Sequence, residues 1–185
     1  MSQPYKPTLL LIDVQVGFDD ESWGKRNNPT AEKNISKLLE TWRNNKFPVI
    51  HVKHDSSNKE SPLYPGSSGN EYKSVAIPKD GETQITKNVN SAFIGTDLEQ
   101  ILLDMEANRL VIVGLTTDHC VSTTTRMAAN LGFSCIVAND ATATFERKSY
   151  DGKHYDADTV HELALASLND EFCEVLSTDE IIKRN

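Results

Sequence analysis

The chain has 185 residues, 38% of them hydrophobic and 25% charged, and carries a net charge of −8, with an isoelectric point near 5.1. That length and balance fit a single soluble domain over residues 1–185, large enough to bury a core. So acidic a surface repels phosphate backbones and anionic lipid, which excludes nucleic acid and membrane as partners. No apolar run approaches the roughly 20 residues that a bilayer span needs.

The stretch Met1-Ser2-Gln3-Pro4-Tyr5-Lys6 leads into Leu9-Leu10-Leu11-Ile12, which ends on Asp13 with no small-residue cleavage site. It reads as the approach to a buried strand, not as a signal peptide. Strands are expected over residues 8–14, 48–52, 110–114 and 134–138, with weaker candidates at 84–87 and 172–176. These runs are continuously apolar, as in a parallel sheet covered on both faces.

Between them, Ile35, Leu38, Leu39 and Trp42 recur at helical spacing and predict a helix over about 30–45. Thr96-Asp97-Leu98-Glu99 has the spacing of a capping box and predicts a helix with Leu98, Ile101, Leu102 and Met105 on one face. A third helix is expected over about 118–131, and Val160, Leu163, Ala164, Ser167 and Leu168 mark a fourth. Strand–helix alternation implies right-handed crossovers and a three-layer α/β/α, Rossmann-like parallel sheet with helices on both faces. Residues 55–81 form a long Pro/Gly-containing loop, and 146–156 a second polar loop. Loops of that length in a compact domain usually carry function.

In open α/β sheets the site lies beyond the carboxyl ends of the strands. Asp13 ends the first strand, and an acid there is costly unless it is paired or used. Lys87 ends the strand Gln84-Ile85-Thr86, and Cys120 falls just past Leu110-Val111-Ile112-Val113-Gly114, in the first turn of a helix. The helix dipole and a nearby ammonium are expected to lower the pKa of that thiol. His119 is set aside as a base, because helix neighbours point about 100° apart. The three cysteines Cys120, Cys135 and Cys173 are odd in number and widely spaced. They point to a reducing cytoplasm, and Cys135 and Cys173, within strands, read as inert.

Leu11-Ile12-Asp13-Val14-Gln15, Lys87-Asn88-Val89-Asn90-Ser91-Ala92-Phe93 with Gly95-Thr96-Asp97-Leu98, the run from Val113 to Val121 and Asn139-Asp140-Ala141-Thr142-Ala143-Thr144-Phe145 occur in that order. Together they resemble the isochorismatase-like cysteine hydrolases over essentially the whole chain. The resemblance implies a six-stranded parallel sheet, a catalytic triad of Asp13, Lys87 and Cys120, and a cis peptide between Leu115 and Thr116. It also implies an oxyanion hole from the amides of Thr116 and Cys120, and a homodimer or homotetramer. The Cys120 nucleophile favours the amidohydrolase branch, which cleaves a C–N bond of a small amide, imide or ureide.

Nicotinamidase-type relatives carry a metal-binding Asp-x-His cluster after the second strand. Here that region reads His51-Val52-Lys53-His54-Asp55-Ser56. His51 and His54 lie an odd number apart, so on a strand they face opposite ways, and no metal or other cofactor is expected. Phe18 and Trp23, with Tyr150 and Tyr155 from the later loop, are the expected substrate-binding aromatics, and Tyr64 could cover the site in its own or a neighbouring subunit. Two other classes stay open: an α/β small-molecule binding protein with a structural Cys120, or a thiol-redox protein.

Overall fold

The computed structural model describes residues 7–185, so the reading of the first six residues lies outside it. In chain order the elements are β1 (Thr8–Ile12), α1 (Ala31–Asn45), β2 (Val49–His54), β3 (Thr83–Lys87), α2 (Leu98–Asp104), β4 (Arg109–Leu115), α3 (Ser122–Asn130), β5 (Ser134–Ala143), β6 (Arg147–Lys148), β7 (His154–Tyr155), α4 (Ala157–Leu168), β8 (Glu174–Leu176) and α5 (Thr178–Arg184). Six strands form one parallel sheet in the order β3-β2-β1-β4-β5-β8.

Alternate strand residues feed two cores, as a period of two requires. Leu9 and Leu11 pack with Ile35, Leu38, Leu39 and Trp42 of α1 and Ile181 of α5. Leu10 and Ile12 pack with Leu98 and Leu102 of α2, Ala128 of α3, and Leu165 and Leu168 of α4. Helices therefore cover both faces, which is the expected α/β architecture.

The departures have physical causes. The first strand stops at Ile12, not at residue 14, because Asp13 turns left-handed at φ 51°. β5 runs on to Ala143, its register against β4 shifting between Ile112 and Gly114. At Gly114 a Cβ would lie 1.9 Å from the Ile12 carbonyl oxygen, so β4 can approach β1 only with glycine there. The expected capping box at Thr96 does not form. Thr96 Oγ1 donates to Ala92 O, Asp97 is the N-cap without a side-chain bond, and Met105 falls beyond the helix and is exposed. A complete capping box instead joins Ser177 and Glu180 at α5.

On α4 the buried face is Ala157, His161, Leu165 and Leu168, while the expected stripe residue Leu163 is 63% exposed. A histidine on the inner face hides that pattern from a hydrophobicity reading. The 55–81 loop folds into two short 3-10 turns, Ser68–Asn70 and Ser74–Ala76. The 146–156 loop becomes a small hairpin pairing Arg147 with Tyr155 and Lys148 with His154.

Candidate active site

From β1 the chain crosses one way to β2 and β3, and the sheet continues the other way through β4, β5 and β8. The crevice at that reversal, above the carboxyl ends of β1 and β4, is where such sheets leave room for a ligand. Asp13 stands there, in a left-handed conformation that short polar residues tolerate best. Past β4, a cis peptide joins Leu115 to Thr116. Thr117–Val121 then forms a π turn that runs into α3. Cys120 sits in this π turn and not in a regular first helical turn; the Thr116 carbonyl accepts from the amides of both His119 and Val121 at 3.2 Å.

Lys87 ends β3 in register with His54 of β2. Its side chain reaches over β2 toward β1, and its Nζ donates to Asp13 Oδ2 at 2.7 Å, to His54 Nδ1 at 3.0 Å and to Cys120 Sγ at 3.4 Å. Three N–H groups thus meet three acceptors. The Lys87 and Asp13 side chains are 0% and 1% exposed. Because an ammonium only donates, His54 Nδ1 is bare and the ring proton sits on Nε2. Burial, reinforced by the Lys87 charge, lowers the His54 pKa and keeps the ring neutral.

Burial raises the Asp13 carboxyl above its usual range, while Lys87 pulls it down. Burial and then the Asp13 charge push the Cys120 thiol up, again against Lys87. This reverses the sequence expectation of a lowered thiol pKa: the sulfur is desolvated and faces a carboxylate, and these effects outweigh the ammonium. At rest the proton stays on sulfur. Asp13 Oδ1 has no hydrogen-bond partner among the described residues, which leaves it as the acceptor for the thiol.

A cavity of about 110 Å³ opens over the sulfur. Phe18 and Trp23, 5.2 Å apart between ring centroids, form one wall and stack on Phe145 behind them. Trp23 Nε1 donates to Gly17 O at 2.8 Å, so the indole spends its polar group within the wall. Leu63 comes in from the long loop, and His54, Asn90, Thr116 and His119 supply polar edges. Asn90 Oδ1 lies 4.0 Å from Cys120 Sγ. The hydroxyl of Thr116 is buried without a partner among the described residues. His119, set aside as a base, does line the cavity, but its ring pairs with Asp118 at 3.4 Å and not with Cys120.

Larger hollows lie at the amino ends of the strands, near Arg43 and Lys79 and near Arg109 and Cys173, and neither brings a carboxylate base, a lysine and a thiol together. Of the other expected aromatics, Tyr150 is fully exposed on the β6–β7 hairpin. Tyr155 lines a separate groove with Arg147 and Val160, under the Lys153 ammonium 4.7 Å from its ring centroid. The hairpin pairing holds both away from the cavity. Tyr64 does not line it either; its neighbour Leu63 does.

His54, Leu63 and Asn90 escape the sequence reading. His51 and His54 do face opposite ways, His51 toward Glu82 at 2.8 Å, but His54 thereby points into the site. Asp13, His54 and Cys120 bring donor atoms within 4.8 Å of one another, the spread of a metal set. The Lys87 ammonium already binds all three, so these residues do not also fit a metal ion.

Gln15 is a further supporting residue. Its amide pairs with both the N–H and the C=O of His54, at 2.8 and 3.0 Å, and with Asn70 O at 3.0 Å. It ties the end of β2 to the loop that delivers Leu63. The amide of Asn70 completes the tie by donating to Leu63 O at 2.9 Å.

Residues 7–180 match the model of the isochorismatase domain. The chain is 49% identical over 177 residues to YrdC of Bacillus subtilis (strain 168), an uncharacterized isochorismatase family protein, covering 96% of this chain and 95% of that one. It superposes with a TM-score of 0.93 and 44% identity on a structure from Chromobacterium violaceum ATCC 12472 described as of the isochorismatase family, covering 96% and 92% of the two chains. It is also 23% identical over 202 residues to the N-carbamoylsarcosine amidase of an Arthrobacter species, covering 96% of this chain and 70% of that one. The chain belongs to the isochorismatase family, whose α/β hydrolases include amidases.

Proposed function

We propose that this protein is a cysteine hydrolase that cleaves the C–N bond of a small amide, imide or ureide through a thioester. The observation that carries this reading is the placement of one buried ammonium against both a carboxylate and a thiol, at 2.7 and 3.4 Å. Asp13 takes the proton of Cys120 as the sulfur attacks the carbonyl carbon. Burial makes the Asp13 carboxylate a stronger base than a free one, but it raises the Cys120 thiol too, so the transfer depends on the Lys87 ammonium stabilising the thiolate as it forms. The N–H groups of Thr116 and Cys120 hold the oxyanion, an effect worth roughly 3 kcal/mol per donor. Collapse expels the amine, to which Asp13 returns the proton. Water, deprotonated by Asp13, then cleaves the thioester and releases the acid and the thiol.

A cavity of about 110 Å³ is comparable with one of about 150 Å³ that holds a benzene ring, so it suits a small acyl group. Its apolar wall suits a flat or aliphatic acyl group, and Asn90 Oδ1 is an acceptor for a substrate N–H. The chemistry calls for no metal, and activity should survive exhaustive chelation. The protein works in the cytoplasm as a homodimer or homotetramer, sedimenting at a multiple of 20.6 kDa. The deciding experiment measures ammonia or amine release over a panel of small amides, imides and ureides, with Cys120→Ala as control. Turnover should vanish in the variant while its melting temperature stays nearly unchanged. A variant that keeps full turnover would remove Cys120 from the mechanism.

A further inference from the structure

Beneath the nucleophile's turn lies a histidine that the chemistry above does not use. His161, on the inner face of α4, is 7% exposed. Its Nε2 lies 3.0 Å from the carbonyl oxygen of Asn139, and its Nδ1 lies 2.8 Å from Thr117 Oγ1. A carbonyl only accepts, so Nε2 carries the ring hydrogen. Nδ1 is then bare, and the Thr117 hydroxyl must donate to it. Asn28 fixes the far side of this arrangement: its two Nδ2 hydrogens go to Asn139 O and Thr142 O, both at 2.8 Å, which leaves none for His161 Nε2 at 3.3 Å.

Thr117 opens the π turn that carries Cys120, and it is 0% exposed. The next residue, Asp118, accepts from Arg147 Nε at 2.8 Å and from Thr144 Oγ1. The turn is thus held from two sides, by α4 through residue 117 and by the exit of β5 through residue 118. The ring bears on the aim of the sulfur because Thr117 stands between the amide of Thr116 and Cys120. A rotation of this first residue moves the thiol and both expected oxyanion donors together.

We infer that His161 is a positioning residue, whose bare Nδ1 locks Thr117 and so fixes the π turn that presents Cys120. This rests on the reading of Cys120 as the nucleophile. His161→Asn keeps an acceptor, Oδ1, close to where Nδ1 stood. His161→Gln places its amide nearer the Nε2 position and removes that acceptor. Thr117→Val keeps the shape and removes the donor.

The test labels Cys120 with iodoacetamide at mildly alkaline pH, follows the rate by intact mass, and records the melting temperature of each variant. Thr117→Val and His161→Gln should each slow labelling about fivefold to tenfold, the range of one such hydrogen bond. The double variant should be no slower than either single one, because both remove the same bond. His161→Asn should stay within about twofold of wild type. A long-range proton–nitrogen NMR spectrum of the wild type should show Nε2 protonated and Nδ1 bare.

Variants that melt lower yet label at the wild-type rate while folded would overturn the proposal, leaving His161 as packing alone. A ring protonated on Nδ1 would overturn it too. Wild-type protein unlabelled at Cys120 would sink both this inference and the nucleophile reading. Normal labelling with full turnover in Cys120→Ala would sink the nucleophile reading by a separate route.

Discussion

A buried ion pair contributes little net stability but is costly to break from one side, because the remaining charge has lost its partner. Asp13 and Lys87 are such a pair, and the two partners can be told apart by pH. In Lys87→Met the main opposition to the burial that already raises the Asp13 carboxyl is gone, leaving only the smaller effects of Cys120 and His54. Its folded pKa then stands well above the unfolded value of about 3.9, and the penalty grows as pH rises from that value to the folded one. We expect Lys87→Met to be inactive and about 3 kcal/mol less stable at neutral pH. It should recover stability on acidification, and on adding Asp13→Asn. Chemical denaturation of the three proteins at two pH values checks this; a loss that does not change with pH would contradict it. At this scale the sequence singles out Asp13, Lys87 and Cys120, by their places at strand ends together with the family resemblance. It hides His54, Asn90 and His161. Their roles depend on how β2 registers with β3, where a loop returns, and which way a helix turns its polar residue, none of which is local.

At the scale of elements, the strongest apolar runs become strands and Ile35, Leu38, Leu39 and Trp42 become a buried helix face, as their periodicity requires. Boundaries are less legible. The Thr96 sequence has the capping spacing, yet its hydroxyl turns back to Ala92 O, while Ser177 makes the box that escaped notice. Local motifs compete for the same hydroxyl, and tertiary context decides between them. Two substitutions separate strong constraints from weak ones. Ser177→Ala should cost about 1 kcal/mol through its lost cap, a fall of a few degrees in melting temperature with activity intact. Gly114→Ala should leave little folded protein, because its Cβ would meet backbone at 1.9 Å and φ there is +117°. Circular dichroism melts of the two variants compare them directly. A Gly114→Ala protein as stable as Ser177→Ala would mean that the β1–β4 approach is looser than described.

For the whole molecule, acid should weaken the fold in two stages. His51, His54 and His161 are held neutral by burial, with pKa values below the usual 6.5. Around His161 the charges of Asp158, Glu162 and Asp118 oppose this, and burial outweighs them. The unfolded chain therefore binds these protons first, and stability falls as pH drops below about 6.5. Glu32, paired with Arg26 and Lys73, and Glu82, paired with Arg43, are desolvated by burial, yet their partners hold them down at about 2. Their contribution is present above about pH 4.5 and is lost from there toward 2. Asp13, with its raised pKa, works in the opposite direction. The melting temperature should decline from neutrality to about pH 5 and then more steeply. A flat profile between about pH 7 and 5 would mean that the three rings take up protons without strain.

The sealing of the Asp13–Lys87 pair also determines what dissolved ions can reach. Charges with 0% and 1% of their side-chain surface in water are screened far less than surface ones. The outside of the protein, at a net −8, is fully open to salt. Ionic strength should therefore act on approach and leave chemistry alone. For an uncharged substrate, turnover in dilute buffer and in molar salt should match. For an anionic one, capture should improve as salt masks the surface, while the rate at saturation holds. The buried cation belongs to the chain, so it can be neither exchanged nor diluted away.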